Sequence, residues 1–235
     1  MRTLSDNEER HVKSLDELRT SSSIEIDFHE QGTWKPQLDA NPIAVNILPQ
    51  FENVTLGNDL RECNLRITEL SCRWRTVESS PQLGGEFTIT DLYDAILLSP
   101  PKFTADVAAQ EDLQVYPDLR VVDFTQHAGT GQMAAIRIQP HVDPLEIWYY
   151  DMNLSRAPSH DSDLIKMDLT YCEYLDTLLL TKGTFGWQYL FTDISLSGNA
   201  FRHTVEQLKR MLELFPAVFP DHDYSSLAAR LEARL

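Results

Sequence analysis

Apolar and polar residues alternate along this chain with two periods, and each change of period marks an element. Ile24, Ile26 and Phe28 alternate with Glu25 and Asp27, the pattern of a short strand with one buried face. Cys63, Leu65 and Ile67 alternate with Asn64, Arg66 and Thr68, and Leu70, Cys72 and Trp74 with Ser71, Arg73 and Arg75. The parity slips at Glu69–Leu70, which predicts a bulged strand or two short strands with the arginines facing solvent. Leu119–Thr125, Met133–Gln139 and Leu145–Tyr150 are three β-rich runs, and Leu164–Leu169 is a candidate fourth. The connectors Ala128-Gly129-Thr130-Gly131 and His141-Val142-Asp143-Pro144 are too short for a parallel crossover of about a dozen residues, so antiparallel neighbours are expected.

The helical period appears later in the chain. Thr170-x-x-Glu173 forms a capping box ahead of Tyr171, Tyr174, Leu175, Leu178 and Leu179, which share one face, and Gly183 supplies a left-handed stop. Asn199 is expected to cap a helix in which Phe201, Val205, Leu208, Leu212 and Phe215 are spaced 4, 3, 4, 3, ending at Pro216. That stripe reads as core, with an oligomer seam as the alternative. A last helix from Asp223 puts Tyr224, Leu227, Ala228 and Leu231 on one side. After a turn at Pro81–Gly85, Thr88 or Thr90 caps a short helix through Leu98, stopped by Pro100-Pro101. The aromatic run Phe185–Phe191 reads as a segment packed beneath the sheet or between helices.

Residues 1–23 hold at most a short helix around Val12–Leu18 and read as a flexible lead-in. Prolines 36, 42 and 49 punctuate an irregular stretch, and residues 102–117 read as a polar loop. No repeat or linker divides the rest. Residues 24–235 are therefore expected to form a single α+β domain, a mainly antiparallel sheet framed by helices.

With 42% hydrophobic residues among 235, a core can form without disulfides or a structural metal. No apolar run approaches the roughly 20 residues of a membrane span. The polar N-terminal segment has no apolar core of a secretory signal, so a cytoplasmic location is expected. Cys63, Cys72 and Cys172 are odd in number and lack CxxC spacing, which predicts small core-filling residues, not a disulfide framework or zinc site. Charge changes the picture most. Twenty Lys and Arg against 36 Asp and Glu give a formal net charge of −16, which repels nucleic acid and anionic membrane and attracts basic proteins.

Motifs for catalysis are weak. Ala128–Gln132 has two glycines but neither the strand-to-helix context nor the third glycine of a dinucleotide loop, so a hairpin turn is expected. Ser195-Leu196-Ser197-Gly198 resembles a nucleophile elbow only in its letters and leads into a helix cap. His141, Asp143, His160, Asp161 and Asp163 are the best metal-ligand candidates, without the spacing of a known site. No carboxylate stands in an apolar run that would raise its pKa. No cofactor is expected, and the chain is expected not to be an enzyme. What stands out is acidity: Asp143, Glu146, Asp151, Asp161, Asp163, Asp168, Glu173 and Asp176 face only Arg156 and Lys166 in the same stretch. Asp151, Asp161 and Asp163 are the candidate contacts for a basic partner.

Residues 85–182 resemble the SUKH superfamily, which includes fungal cell-wall-synthesis regulators and many bacterial toxin-immunity proteins. GGEFTITDLYDAILLSPP looks like the segment leading into that family's central loop. PDLRVVDFTQHAGTGQMAAIRIQPHVDPLEIWYYD looks like its strand, glycine turn, second strand and closing aromatic-acid strand, and LTYCEYLDTLLLTKG like its closing helix. Leu48-Pro49-Gln50-Phe51 is all that corresponds to the family's early LPxxYxxF helix, and the C-terminal helices extend past its minimal domain. The resemblance implies a SUKH-like binding fold with no catalytic residue to carry over. The leading expectation is an immunity protein that occludes a cognate toxin; a regulatory or scaffold protein, or a homodimer, is the second, and a hydrolase or metal enzyme the third.

Overall fold

The computed structural model describes residues 4–35, 54, 56–98, 100–101, 112–156 and 161–235. Seven strands form one sheet in chain order: β1 (Ile24–Gln31), β2 (Leu70–Thr76), β3 (Gly84–Ile89), β4 (Leu119–Phe124), β5 (Met133–Arg137), β6 (Glu146–Tyr150) and β7 (Leu164–Met167). Every pairing is antiparallel, so the sheet is a meander. The chain is thus α+β, as its pattern predicts. The prolines at 36, 42 and 49, the Leu48–Phe51 segment, residues 102–111 and His160 lie outside the described residues.

One face of the sheet carries the main core. Cys72, Trp74, Phe87, Ile89, Ala134, Ile136, Ile147, Tyr149, Ile165 and Met167 alternate toward it, as period two requires. Helices α1 (Asp6–Thr20), α5 (Tyr171–Thr181), α6 (Arg202–Val218) and α7 (Ser225–Glu232) contribute Leu15 and Leu18, Tyr174 and Leu178, Met211 and Phe215, and Leu227 and Leu231 to the same core. The Phe201–Phe215 stripe packs into this core, with the Phe215 ring 5.9 Å from Trp74 and Phe201 5.1 Å from Tyr189, and Val205 and Leu212 partly buried against it. The aromatic run forms a 3-10 turn, Trp187–Phe191, buried in that layer. The opposite face has a smaller cluster, Leu119, Ala135 and Leu164 packed with Tyr116, Trp148 and Tyr150.

Several expectations are corrected. The segment read as a lead-in is the 15-residue α1, with a capping box at Ser5 and Glu8 and with Leu18 fully buried. Glu8 is buried because Arg66 answers it with its backbone N–H, Nε and Nη2, and the N–H of Ser5 completes the set. Cys63 ends the short helix α2 (Asn58–Cys63), so the strand starts only at Leu70, where the parity slips. Gly84–Ile89 is β3 in place of the expected turn and helix cap, and Asp91 caps α3 (Leu92–Leu97) by accepting from the N–H groups of Tyr93 and Asp94. Part of the expected 102–117 loop is helical, α4 (Asp112–Val115) followed by the 3-10 turn Tyr116–Asp118. Pro216 lies inside α6 near its C-terminal end, and does not stop it.

The cysteines are the clearest correction. Cys63 and Cys172 are joined by a disulfide with their Cα atoms 5.4 Å apart, tying α2 to α5 across 109 residues. Cys72 alone fits the core-filling reading, and burial pushes its thiol up to about 12. The partners are brought together only by the fold, so no local spacing announces them.

Two halves of the sheet, β1–β3 and β4–β7, meet at a thin seam. β3 and β4 share a single bridge, Ile89 to Asp123. A bulge between Val121 and Asp123 turns the Asp123 side chain into the core, where its Oδ1 accepts from the Thr88 N–H at 2.7 Å and its Oδ2 from the Tyr174 hydroxyl at 2.7 Å. A side chain here completes what the backbone ladder leaves open.

Candidate functional site

The three candidate contacts do not share a surface. Asp151 is 2% exposed and works inside the protein. Its Oδ2 accepts from the Tyr189 hydroxyl at 2.8 Å, the Tyr149 hydroxyl at 3.4 Å and Gln132 Nε2 at 2.7 Å, while Oδ1 accepts from the N–H and side-chain amide of Asn153. Burial next to this carboxylate pushes the Tyr149 and Tyr189 hydroxyls far above their usual range, so both remain donors. Asp163 is 3% exposed; its carbonyl accepts from the Asp151 N–H at 2.9 Å and its carboxylate from the Ser155 N–H. Asp151 and Asp163 are therefore corrected from docking residues to struts of the β6–β7 connection. Only Asp161 is exposed.

The rest of the acidic stretch is also largely engaged. Glu146 accepts from Lys166 at 2.7 Å, Glu173 caps α5, and Asp176 meets Arg10 at 2.8 Å. Asp168 remains outward, 86% exposed. Of the metal-ligand candidates, His141 sits exposed in the β5–β6 turn at φ 60, and the described residues contain no group of three or more His, Cys, Asp or Glu able to hold an ion.

Glycine-turn chemistry fulfils its expectation in an unforeseen way. Gly129 and Gly131 take φ of 67 and 70 at the tip of the β4–β5 hairpin. The tip folds back over the outer face of β1–β3, where the His127 ring stacks 3.8 Å from Phe28. Buried Glu86 accepts the N–H groups of His127 and Ala128, each at 2.7 Å, and Arg73 donates to the His127 carbonyl. This carboxylate anchors a loop.

A second buried charge lies behind the sheet. Lys182, with no exposed side-chain surface, takes a left-handed φ of 52 at the end of α5 and donates to Glu17 at 2.7 Å and Ser14 at 2.8 Å. Burial lowers its pKa and Glu17 opposes that fall. Its ammonium lies 5.0 Å from the Phe219 ring, and its carbonyl accepts from the Trp74 indole. The cluster joins α1, α5 and the α6 terminus, a structural clamp.

A concave surface lies at the β7 edge of the sheet. A groove of about 710 Å3 runs there, with Val115 and Trp148 on one side of the strand and Phe191 and Asp193 on the other. The register pairs Ile147 with Met167 and Tyr149 with Ile165, and the Asp151 N–H bonds the Asp163 carbonyl, so the odd residues of β7 spend their backbone groups on β6. The even residues point outward. The Leu164 N–H is met by the Ser162 hydroxyl and the Asp168 N–H by the Phe191 carbonyl. The Lys166 peptide groups face the groove, without a backbone partner among the described residues. Asp168 and Asp193 are exposed and line the groove together with Arg234, and Asp168 lies 4.0 Å from Arg230. Asp161 is exposed just ahead of β7, while Lys166 is held by Glu146.

Sequence reasoning named Asp161 and Asp168 but missed Asp193, because only the fold lays the Phe191–Asp193 segment beside β7, where the Phe191 carbonyl accepts from the Asp168 N–H. Comparison with family models, with curated proteins and with solved structures finds no match to this chain.

Proposed function

We propose that the protein is a non-catalytic, SUKH-like binding module of the immunity type, which accepts an extended basic segment of a toxin along β7 and so blocks the toxin's access to its substrate. The observation that carries the reading is the outer edge of β7, with the Lys166 peptide facing a groove lined by Asp168 and Asp193, and exposed Asp161 just ahead of the strand. An exposed strand edge is a template for another strand: backbone hydrogen bonds give affinity and the flanking walls read side chains. A net charge of −16 draws a basic partner and speeds its encounter. Asp161 and Asp193 have no side-chain partner among the described residues and Asp168 has only Arg230 at 4.0 Å, so these acids are left to meet it, which supports steric occlusion over chemistry. The order of motifs in residues 85–182 supports the immunity assignment.

The test uses the product of an adjacent gene with a basic C-terminal domain. Lys166→Pro removes the outward N–H without touching the β6–β7 ladder, whereas Lys166→Ala keeps it. The expected result is binding at least about tenfold weaker for K166P than for K166A, the scale of one lost hydrogen bond in a dry interface. Neutralising Asp161, Asp168 and Asp193 together as Asn should slow association and flatten its salt dependence. Equal binding by K166P and K166A, with the triple variant unchanged, overturns the assignment of this edge.

A further inference from the structure

We infer that Cys63 and Cys172 form a site of reversible thiol–disulfide exchange with low-molecular-weight disulfides of the glutathione class, and that their bond clasps α2 onto α5. The inference stands apart from partner binding. Both cysteines are half-buried, so an exchanging thiol can reach them, while Cys72 is enclosed in the core with its thiol held protonated by burial. Pairing is therefore unambiguous among three cysteines. A Cα separation of 5.4 Å lies within the span a disulfide bridges without moving the backbone.

The clasp holds a short segment. α2 is six residues long, too short to persist by itself. It is kept by buried Leu60, by the Asn7 side-chain amide donating to the Cys63 carbonyl, and by Asn64, whose side-chain oxygen accepts from the Leu92 N–H at 2.9 Å. The disulfide adds the covalent tie to the first turn of α5.

The chemistry balances within the two thiols and one glutathione disulfide. One protein thiolate attacks a sulfur of glutathione disulfide, forming a mixed disulfide and releasing glutathione thiolate. The second protein thiolate then attacks the protein-side sulfur and releases the second glutathione. The protein pair loses two electrons, the small disulfide gains them, and the two thiol protons end on the released glutathiones.

The experiment equilibrates the full chain, as wild type and as Cys72→Ser, in glutathione buffers of graded ratio, then counts alkylated thiols by mass and records melting. Under oxidising buffer one free thiol is expected in wild type and none in C72S. Under reducing buffer three and two are expected. Reduction should lower the melting temperature by about 10 °C, since closing a loop of this length constrains the unfolded chain strongly. It should also speed amide exchange in residues 58–65 and the first turn of α5. C72S keeps only the pair, so any redox response it shows belongs to the clasp. Two thiols alkylated in C72S after oxidation, or a melting temperature and exchange pattern indifferent to reduction, overturns the inference.

Discussion

Two buried titratable residues pull stability in opposite directions over one pH window. Burial pushes Asp123 up to about 6 from 3.8, with the Tyr174 hydroxyl and the Thr88 N–H resisting. Its folded form holds a proton more tightly than the unfolded chain does. Its contribution is therefore whole below about pH 3.8 and is lost as pH rises through about 6. Burial lowers His11 to about 4 from 6.5, against the carbonyl of Asn7 that holds Nδ1. Its contribution is whole above about pH 6.5 and is lost as pH falls through about 4. Each amounts to roughly 3 kcal/mol, at about 1.36 kcal/mol for each of a little over two pKa units. The two nearly cancel in the wild type, and single variants separate them. Relative to wild type, Asp123→Asn should gain about 3 kcal/mol between pH 4 and 6.5 in urea unfolding, and His11→Gln should lose about as much. Parallel pH profiles for wild type and D123N would show that the Asp123 carboxyl is not proton-linked to folding.

Elements differed in how plainly they could be read, and the reason lies in what covers each face. β4 to β7 and α5 were legible because their inward residues are apolar at a clean period and their capping and turn residues are local. α1 was obscured because two of its four buried positions, Glu8, His11, Leu15 and Leu18, are polar, although their spacing is helical. β3 was hidden by Gly84 and Gly85, which imitate a turn, and by Glu86 and Thr88, whose burial depends on the distant β4–β5 hairpin. Asp151 and Asp163 read as surface because the tyrosine and backbone donors that satisfy them become neighbours only after folding. Gly85 has a packing reason to be there: a Cβ would lie 2.6 Å from the Gly183 carbonyl oxygen and 2.8 Å from the Trp74 indole nitrogen that holds the Lys182 carbonyl. At Gly129 a Cβ would meet nothing within 4 Å, and only its positive φ resists substitution. Gly85→Ala should therefore cost about 1–3 kcal/mol through overpacking, and Gly129→Ala about 1–2 kcal/mol through backbone strain alone. Near-UV circular dichroism of the tryptophans distinguishes them further, since only G85A moves Trp74. An unperturbed tryptophan signal in G85A would mean that β3 and the α5 terminus have room to part.

At the scale of the whole molecule, the same acidity acts on folding and on recognition with opposite signs. Pairing every Lys and Arg with an acid still leaves the excess that makes −16, so the folded chain repels itself. Surface pairs such as Arg75 with Glu25 and Arg10 with Asp176 are exposed and screened by solvent, so each adds little to stability. Salt screens both effects, because the Debye length falls from about 10 Å at 0.1 M to about 3 Å at 1 M. Repulsion among the excess charges extends over the whole surface, whereas each ion pair offsets it only locally. The balance thus favours stabilisation by salt, and the melting temperature should rise as sodium chloride goes from about 0.02 to 0.5 M. Association with a basic partner should weaken over the same range, because the attraction that steers it is screened by the same ions. The charge also argues against self-association through β7, since two-fold pairing would set Lys166 near its own copy and bring two bodies of like charge together. A melting temperature that falls with salt would mean that ion pairs such as Lys182 with Glu17 and Arg66 with Glu8 outweigh the surface excess, and the acid coat would then be part of what holds the fold.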